Sequence, residues 1–281
     1  MARRRAWRRA LPDFDDLSWC WRERRATANA LRFLGWDHES VRNCRNTQPC
    51  RCGLCPKCIR RLRVQLLDFL EGEELYRLNW HLVTIRVEGW KVAPGDCAQF
   101  EALRDHRLIE NLLARFRRMR LPGLTIFGAI ETVYVTIANF PVEKPFHLHL
   151  MITGATAEQI QAAIRATIPL DTTDIRPLLI DPVQPTRKDF FRAASYAFKH
   201  PLQKKSKRSA EDHGRRQSLR AAERRELMQN LGVHGWTGRM ILLGLRCDGG
   251  VFRVTANLSA TAPREDFARL RRTPQRRTRQ G

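Results

Sequence analysis

Three groups of residues in this chain have the types and spacing to do chemistry. The first is Pro145-Phe146-His147-Leu148-His149-Leu150-Met151-Ile152. Its histidines alternate with apolar residues, which is the period of a β-strand, where successive side chains point to opposite faces. His147 and His149 therefore share one face, and Phe146, Leu148 and Leu150 the other. Two imidazoles side by side on a rigid strand make half of a metal site. Glu131, in the preceding run Ala129-Ile130-Glu131-Thr132-Val133, can supply the other half. If the two strands form a hairpin that turns near Phe140, Glu131 faces His149; a one-residue change of register puts it opposite His147. Strand parity then keeps all three side chains on one face. Two imidazoles and a carboxylate suit a divalent cation with open positions for a phosphate oxygen. The alternative role for Glu131 is to neutralise nearby cationic groups.

The second group is Ala194-Ser195-Tyr196-Ala197-Phe198-Lys199-His200. The chain has 3 tyrosines, and only Tyr196 is followed by a lysine three residues later. That spacing places both side chains on one face of a helix. A tyrosine can attack phosphorus when its proton is removed and the phosphate is polarised. Lys199 can lower the phenol's pKa or hold the phosphate. The third group is Cys50-Arg51-Cys52-Gly53-Leu54-Cys55-Pro56-Lys57-Cys58, preceded by Cys44 and holding, with it, most of the 8 cysteines. Thiolates so closely spaced on a tight loop suit tetrahedral Zn²⁺, and four of them also serve an iron–sulfur cluster. One cysteine is surplus: the ligand set is Cys44, Cys50, Cys55 and Cys58, with Cys52 as the substitute. Arg60, Arg61 and Arg63 follow directly, as in a module that faces nucleic acid. Cys20, Cys97 and Cys247 are isolated and read as small hydrophobes.

The elements that must position these groups can be read from periodicity. A helix is expected around Arg24–Leu34 and helical spacing over Ile59–Leu78. His81–Val87 reads as a strand, Cys97–Leu121 as a long amphipathic helix, and Leu124–Ile137 as a second strand rich in β-branched and aromatic residues. Ala138–Lys144 reads as a turn and Phe146–Thr153 as the histidine strand. Thr156–Thr167 reads as a helix capped by Thr156, Asp174–Ile180 as a fourth strand, and Arg187–His200 as the tyrosine helix. The order β-α-β-β-α-β is that of the ferredoxin-like split βαβ arrangement, an α+β class with an antiparallel sheet. Two short strands are expected at Met240–Leu245 and Val251–Val254. The expected organisation is a basic N-terminal region over 1–78 with its zinc module at 44–58, a core over 79–202, an accessory region over 203–263, and a disordered arginine-rich tail over 264–281.

The charge balance names the partner class. Among 281 residues, Lys+Arg 51 against Asp+Glu 29 gives a formal net charge of +22. That predicts a polyanionic partner, nucleic acid ahead of a membrane surface. The run Lys204-Lys205-Ser206-Lys207-Arg208 can track a DNA backbone or lie on a solvated loop. No apolar stretch reaches the length of a bilayer span, and no secretory leader is visible behind the basic start. The expected compartment is the cytoplasm, where clustered cysteines bind metal more often than they form disulfides.

Taken in order, these residues resemble the HUH endonucleases, and among them the rolling-circle replication initiator (Rep) proteins of plasmids and phages. The resemblance covers roughly residues 44–202. It rests on a hydrophobic strand with a threonine (His81-Leu82-Val83-Thr84-Ile85-Arg86-Val87), the histidine strand His147-Leu148-His149, the tyrosine helix Tyr196-Ala197-Phe198-Lys199, and a Cys-Pro-x-Cys segment ahead of the core. The first motif is loosely matched, and Thr84 is not carried over as a site residue. Gly53 departs from the usual pattern of the cysteine segment. The resemblance implies that His147, His149 and Glu131 hold Mg²⁺ or Mn²⁺ against the scissile phosphate of a single-stranded or extruded origin. It implies that Tyr196 attacks in line, leaving a 5′-phosphotyrosyl bond and a 3′-hydroxyl for a host polymerase, with a host helicase as a further partner. One tyrosine in the motif means that a second attack needs another nucleophile or another subunit. Two other functions remain open at this point: a non-catalytic, zinc-dependent nucleic-acid-binding protein, and another HUH enzyme such as a transposase or relaxase.

Overall fold

The computed structural model describes residues 17–95, 106–137, 140–200, 202, 204–207, 215–232 and 239–255. The chain is α+β. A five-stranded antiparallel sheet carries the chemistry. Its strands are β1 (Trp80–Val92), β2 (Thr125–Thr132), β4 (Phe140–Thr153), β5 (Leu178–Val183) and β8 (Met240–Leu243), in the spatial order β5-β1-β4-β2-β8. The first half of β4 runs on past this sheet. There it pairs with β3 (Tyr134–Ile137), which continues to β6 (Lys204–Lys207) and β7 (Arg215–Gln217). β9 (Leu245–Asp248) and β10 (Val251–Val254) form a separate hairpin.

Among the described residues, three helices precede the sheet: α1 (Leu17–Phe33), the short α2 (Glu39–Arg42) and α3 (Pro56–Gly72). They are succeeded by α4 (His106–Arg118) between β1 and β2, α5 (Ala157–Arg165) between β4 and β5, α6 (Arg187–Tyr196) after β5, and α7 (Ala221–Leu231). Local sequence explains their starts. Thr156 accepts from Gln159 N at 3.3 Å while Gln159 Oε1 accepts from Thr156 N at 2.9 Å, closing a capping box on α5. Thr186 caps α6 by accepting from Asp189 N at 3.1 Å. Pro56 opens α3 at a position where its missing N–H is not needed.

Strand parity divides the sheet into two chemically different faces. One presents Val83, Ile85, Ile126, Ile130, Leu148, Leu150 and Ile152, all buried in one apolar cluster with Leu112, Phe116, Ile160 and Ile164 of α4 and α5. The other presents Trp80, Thr84, Phe127, Glu131, His147 and His149. Part of this second face is covered by α6 and the residues after it. Trp80 packs on Phe127 at 5.2 Å and on Phe190 at 5.7 Å between ring centroids, and Phe127 lies 6.5 Å from Phe198. The N-terminal helices pack on this same side: α3 lies against α1, α6 and β10.

Several boundaries differ from the sequence-based expectation. The tyrosine helix stops at Tyr196, not His200, because the chain turns there, with Phe198 N bonded to Ser195 O at 3.2 Å. The expected turn at 138–144 is strand from Phe140 onward, because β4 extends to pair with β3. The fourth strand is Leu178–Val183 and not Asp174–Ile180: Asp174 is engaged by Arg86, and its N–H bonds Asp171 O, which holds the preceding segment in turns. Of the expected helix at 97–121, residues 97–105 lie outside the described residues, as does the tail at 264–281. Among the described residues no helix is long and apolar enough to cross a membrane.

β2 and β4 approach unusually closely beside the histidines. A Cβ placed on Gly128 would sit 1.9 Å from the His149 carbonyl oxygen and 2.8 Å from Leu150 Cα. Only glycine permits that approach, and the obstacle is backbone that cannot rotate away. Gly128→Ala is therefore expected to cost about 2 kcal/mol or more in denaturant unfolding. An alanine variant as stable as the parent would show that the strands can part without penalty.

Candidate functional site

The structure brings Glu131, His147, His149, Tyr196 and Lys199 together. The register is the shifted one: Glu131 lies opposite His147, and Ala129 opposite His149. The carboxylate nevertheless reaches both rings, because diagonal neighbours on one face lie within range of long side chains. Glu131 Oε2 is 2.8 Å from His149 Nε2 and 3.7 Å from His147 Nε2. The two imidazoles meet edge to face with centroids 4.4 Å apart.

Thr84, which its motif alone did not mark as a site residue, belongs here. Its Oγ1 lies 3.0 Å from His149 Nδ1, directly across from it in the β1–β4 register. In the tautomer in which Nδ1–H donates to Thr84, Nε2 is deprotonated and faces a carboxylate oxygen. A lone pair so placed needs a proton or a cation beside it. Ligands on a small divalent ion at about 2.1 Å stand about 3 Å apart, and the three donor atoms of Glu131, His147 and His149 all lie within 4.8 Å of one another. The donor set and spacing can hold a divalent metal ion. Thr84 then acts as the outer partner that fixes the ring orientation of a ligating histidine.

The electrostatics agree with that fit. Burial alone would raise the Glu131 carboxyl, but the Lys199 ammonium, then His149 and His147, outweigh it and hold the group well below the usual carboxylate range. His147 is pushed down to about 3, first by burial and then by His149, so it is neutral at physiological pH. Neutral imidazole is the form that ligates a cation. Arg239, a residue with no signal in the sequence, adds a further buried positive charge. Its Nη1 donates to Ile130 O at 2.9 Å, next to Glu131, and burial draws its pKa down to about 10.

Tyr196 stands at the open side of this cluster. Its ring packs edge to face on His149, with centroids 4.6 Å apart. It is 37% exposed, whereas His149 is 2% and Glu131 5% exposed. Lys199 lies 3.0 Å from the Tyr196 ring centroid and 3.6 Å from Glu131 Oε1. The pair thus meets although α6 has already ended, because the turn after Tyr196 keeps Lys199 on the same side.

The cysteines form a second centre. Cys44, Cys50, Cys55 and Cys58 converge, with their sulfurs within 4.8 Å of one another, and can hold zinc. Cys58 Sγ is 3.6 Å from Cys44 Sγ and 3.5 Å from Cys50 Sγ. Those separations are near the ~3.7 Å edge of a tetrahedron with Zn–S bonds of about 2.3 Å, and far from an S–S bond. Cys52 is outside the group; its sulfur accepts from Leu54 N at 3.4 Å within the loop. Cys55 is the residue before the first turn of α3 and Cys58 lies within that turn, so the helix N-terminus favours their thiolates.

The candidate nucleic-acid contacts divide. Arg60 and Arg61 are partly exposed, and Arg61 donates to Asn46 O at 2.7 Å. Arg63 is 5% exposed and points inward, its Nη2 2.6 Å from Ser195 Oγ, so it is not on a surface that DNA reaches. Lys204 is likewise buried, 2.6 Å from Glu223 Oε1. Both positions read as surface cations in the sequence; tertiary packing enclosed them with polar partners. The side chain of Lys205 lies outside the described residues.

Two outcomes are expected of the metal centres. The purified chain should carry close to one zinc by elemental analysis; Cys58→Ser should lose it and lower Tm, while Cys52→Ser should keep it. Mn²⁺ titration monitored by electron paramagnetic resonance should reveal a second, weaker site, and His147→Ala should weaken it about tenfold or more. Equal Mn²⁺ affinity in that variant would remove His147 from the ligand set.

No protein-family model, no curated protein and no solved structure matches this chain, so the geometry of the site carries the functional reading.

Proposed function

We propose that the protein nicks and rejoins single-stranded DNA through a tyrosyl–DNA intermediate, as a rolling-circle replication initiator of the HUH type acting on a plasmid or phage origin. The observation that carries this reading is the packing of Tyr196 against His149. It places a partly exposed phenol at the mouth of a two-histidine, one-carboxylate donor set. The strand order β5-β1-β4-β2, with helices linking β1 to β2 and β4 to β5, supports it as well, since a ferredoxin-like core calls for that order. A divalent cation held by Glu131, His147 and His149 would supply Lewis-acid polarisation of a phosphate oxygen.

The chain's own residues do the rest. Tyr196 Oη loses its proton to solvent and attacks phosphorus. The bond from Tyr196 Oη to phosphorus forms as the bond from phosphorus to the 3′ oxygen breaks, and the departing oxygen takes up a proton to become a 3′-hydroxyl. Lys199, against the ring, favours the phenolate and holds negative charge near the site. Thr84 keeps His149 in one orientation. The ester is exchanged and not hydrolysed, so rejoining the ends needs no nucleotide cofactor.

Incubation of the chain with a single-stranded DNA library and Mn²⁺ should yield a covalent adduct that survives a denaturing gel, and sequencing the captured strand identifies the origin. Tyr196→Phe should abolish the adduct while leaving DNA affinity within about threefold. An adduct that persists in Tyr196→Phe would assign the nucleophile elsewhere. DNA binding that is lost on zinc removal, with no adduct under any divalent ion, would favour a non-catalytic zinc-dependent binding protein.

A further inference from the structure

The four-cysteine knuckle and the tyrosine site are physically joined, and Arg63 is a buried charged part of that join. α3 starts at the knuckle, with Cys58 in its first turn, and Arg63 lies five residues further along the same helix. Arg63 is 5% exposed. Its Nη2 donates to Ser195 Oγ at 2.6 Å and reaches Ser195 O at 3.5 Å. Ser195 directly precedes Tyr196 and lies in the last turn of α6, where unsatisfied carbonyls attract a cation. The N-terminal helices hold the other end of this segment too: Trp19 of α1 packs edge to face on His200, centroids 5.5 Å apart. In between, Phe198 is buried against Phe127 of the sheet. Residues 195–200, which carry both Tyr196 and Lys199, are thus gripped at one end by α3, at the other by α1, and in the middle by the sheet.

We propose that Arg63 is a positioning residue for Tyr196, and that metal binding at Cys44, Cys50, Cys55 and Cys58 controls nicking by fixing α3. This rests on the reading of Tyr196 as nucleophile. The coupling is mechanical. A short α6 ends at Tyr196, so nothing helical beyond that residue holds the phenol. Beyond the contacts of His149 and Lys199 with the ring, the backbone position of Tyr196 depends on what fixes Ser195, and Arg63 is a charged group that does so. Binding metal pins the N-terminus of α3, and a rigid helix carries that constraint the few residues to Arg63. In-line attack tolerates little error: a displacement of about 1 Å at a reacting atom costs about a hundredfold in rate. The knuckle therefore acts on the chemical step, and not only as a surface for nucleic acid.

The test uses the full chain labelled with 3-fluorotyrosine. The 3 tyrosines give three ¹⁹F resonances, and Tyr196→Phe identifies that of Tyr196. In the zinc-loaded protein, Arg63→Ala should shift or broaden the Tyr196 resonance and leave Tyr134, on β3, in place; Arg63→Lys should restore it in part. Stripping zinc from the parent should move the same resonance, and stripping it from Arg63→Ala should add little. With saturating single-stranded DNA, Arg63→Ala should slow adduct formation about 10- to 100-fold with affinity unchanged, and the loss on zinc removal should be smaller in that variant than in the parent. An unmoved Tyr196 resonance in Arg63→Ala overturns the proposal. So does a zinc effect on Tyr134 as large as that on Tyr196, or equal zinc dependence with and without Arg63. If the parent forms no adduct at all, the nucleophile assignment fails while the ¹⁹F measurement still decides whether knuckle and tyrosine are coupled.

Discussion

A charged carboxylate buried in a β-sheet is the constraint on which this structure turns. Glu131 is 5% exposed, and an isolated carboxylate there would be prohibitively unfavourable. It is tolerated because Lys199, His149 and His147 surround it, brought to it by the neighbouring strand and by the turn after α6. Each of these groups in turn depends on Glu131: remove the carboxylate and Lys199 becomes a partly buried cation against an aromatic ring, with two imidazoles beside it. The same charge that makes the site expensive gives it affinity for a divalent ion. Position and chemistry are therefore set by one interaction, with Thr84 orienting the His149 ring at its edge.

The rest of the sheet exists to keep that arrangement rigid. The face opposite the histidines is apolar from Phe146 to Ile152 of β4 and is buried in one cluster with residues of α4 and α5, so strand slippage would expose that row. Gly128 lets β2 lie against the backbone of β4 at His149, which shortens the reach required of Glu131. Sites built on strands hold their geometry more closely than sites on loops. The tyrosine comes from the one element of the site that is not sheet. Its placement depends on packing: Phe198 on Phe127, His149 against the ring, and the contacts from α1 and α3.

The large positive charge also takes on a different meaning once the chain is folded. Arg63, Lys204, Arg224 and Arg239 are all buried, each with an acidic or polar partner inside the protein. Arg224 joins α7 to α1 through Glu23 at 2.6 Å, and Lys204 joins β6 to α7 through Glu223. These cations hold elements together and are not available to a polyanion. Arginine serves both uses because its planar fork can satisfy several acceptors at once when desolvated. Arg24 and Lys57 show an intermediate case: both donate to the Cys44 carbonyl, supporting the metal knuckle, while lying over the exposed ring of Trp21.

Short-range patterns were legible in the amino-acid order. The alternation of His147 and His149 specified a strand and a shared face, the cysteine spacing narrowed the metal centre to five residues of which four converge, and Thr156 marked a helix start, because each depends on neighbours a few residues apart. Alternation could not choose between two registers of equal parity; the pairing of β2 with β4 in the folded sheet places Glu131 opposite His147. Nor could local periodicity foresee that Thr84 would lie across from His149, that Arg239 would come to rest beside Ile130, or that Arg63 would turn from a supposed surface cation into the support of Ser195. Those facts depend on which strands and helices become neighbours, and that is decided by burying the apolar faces of the whole chain at once. Residue types and strand parity were enough to mark the histidines, Glu131, Tyr196 and the cysteines as chemically capable and to assign the strand residues a face. Their distances and the partners of each buried charge came from packing, because desolvation obliges an enclosed charge to find a partner from wherever in the chain packing has brought one.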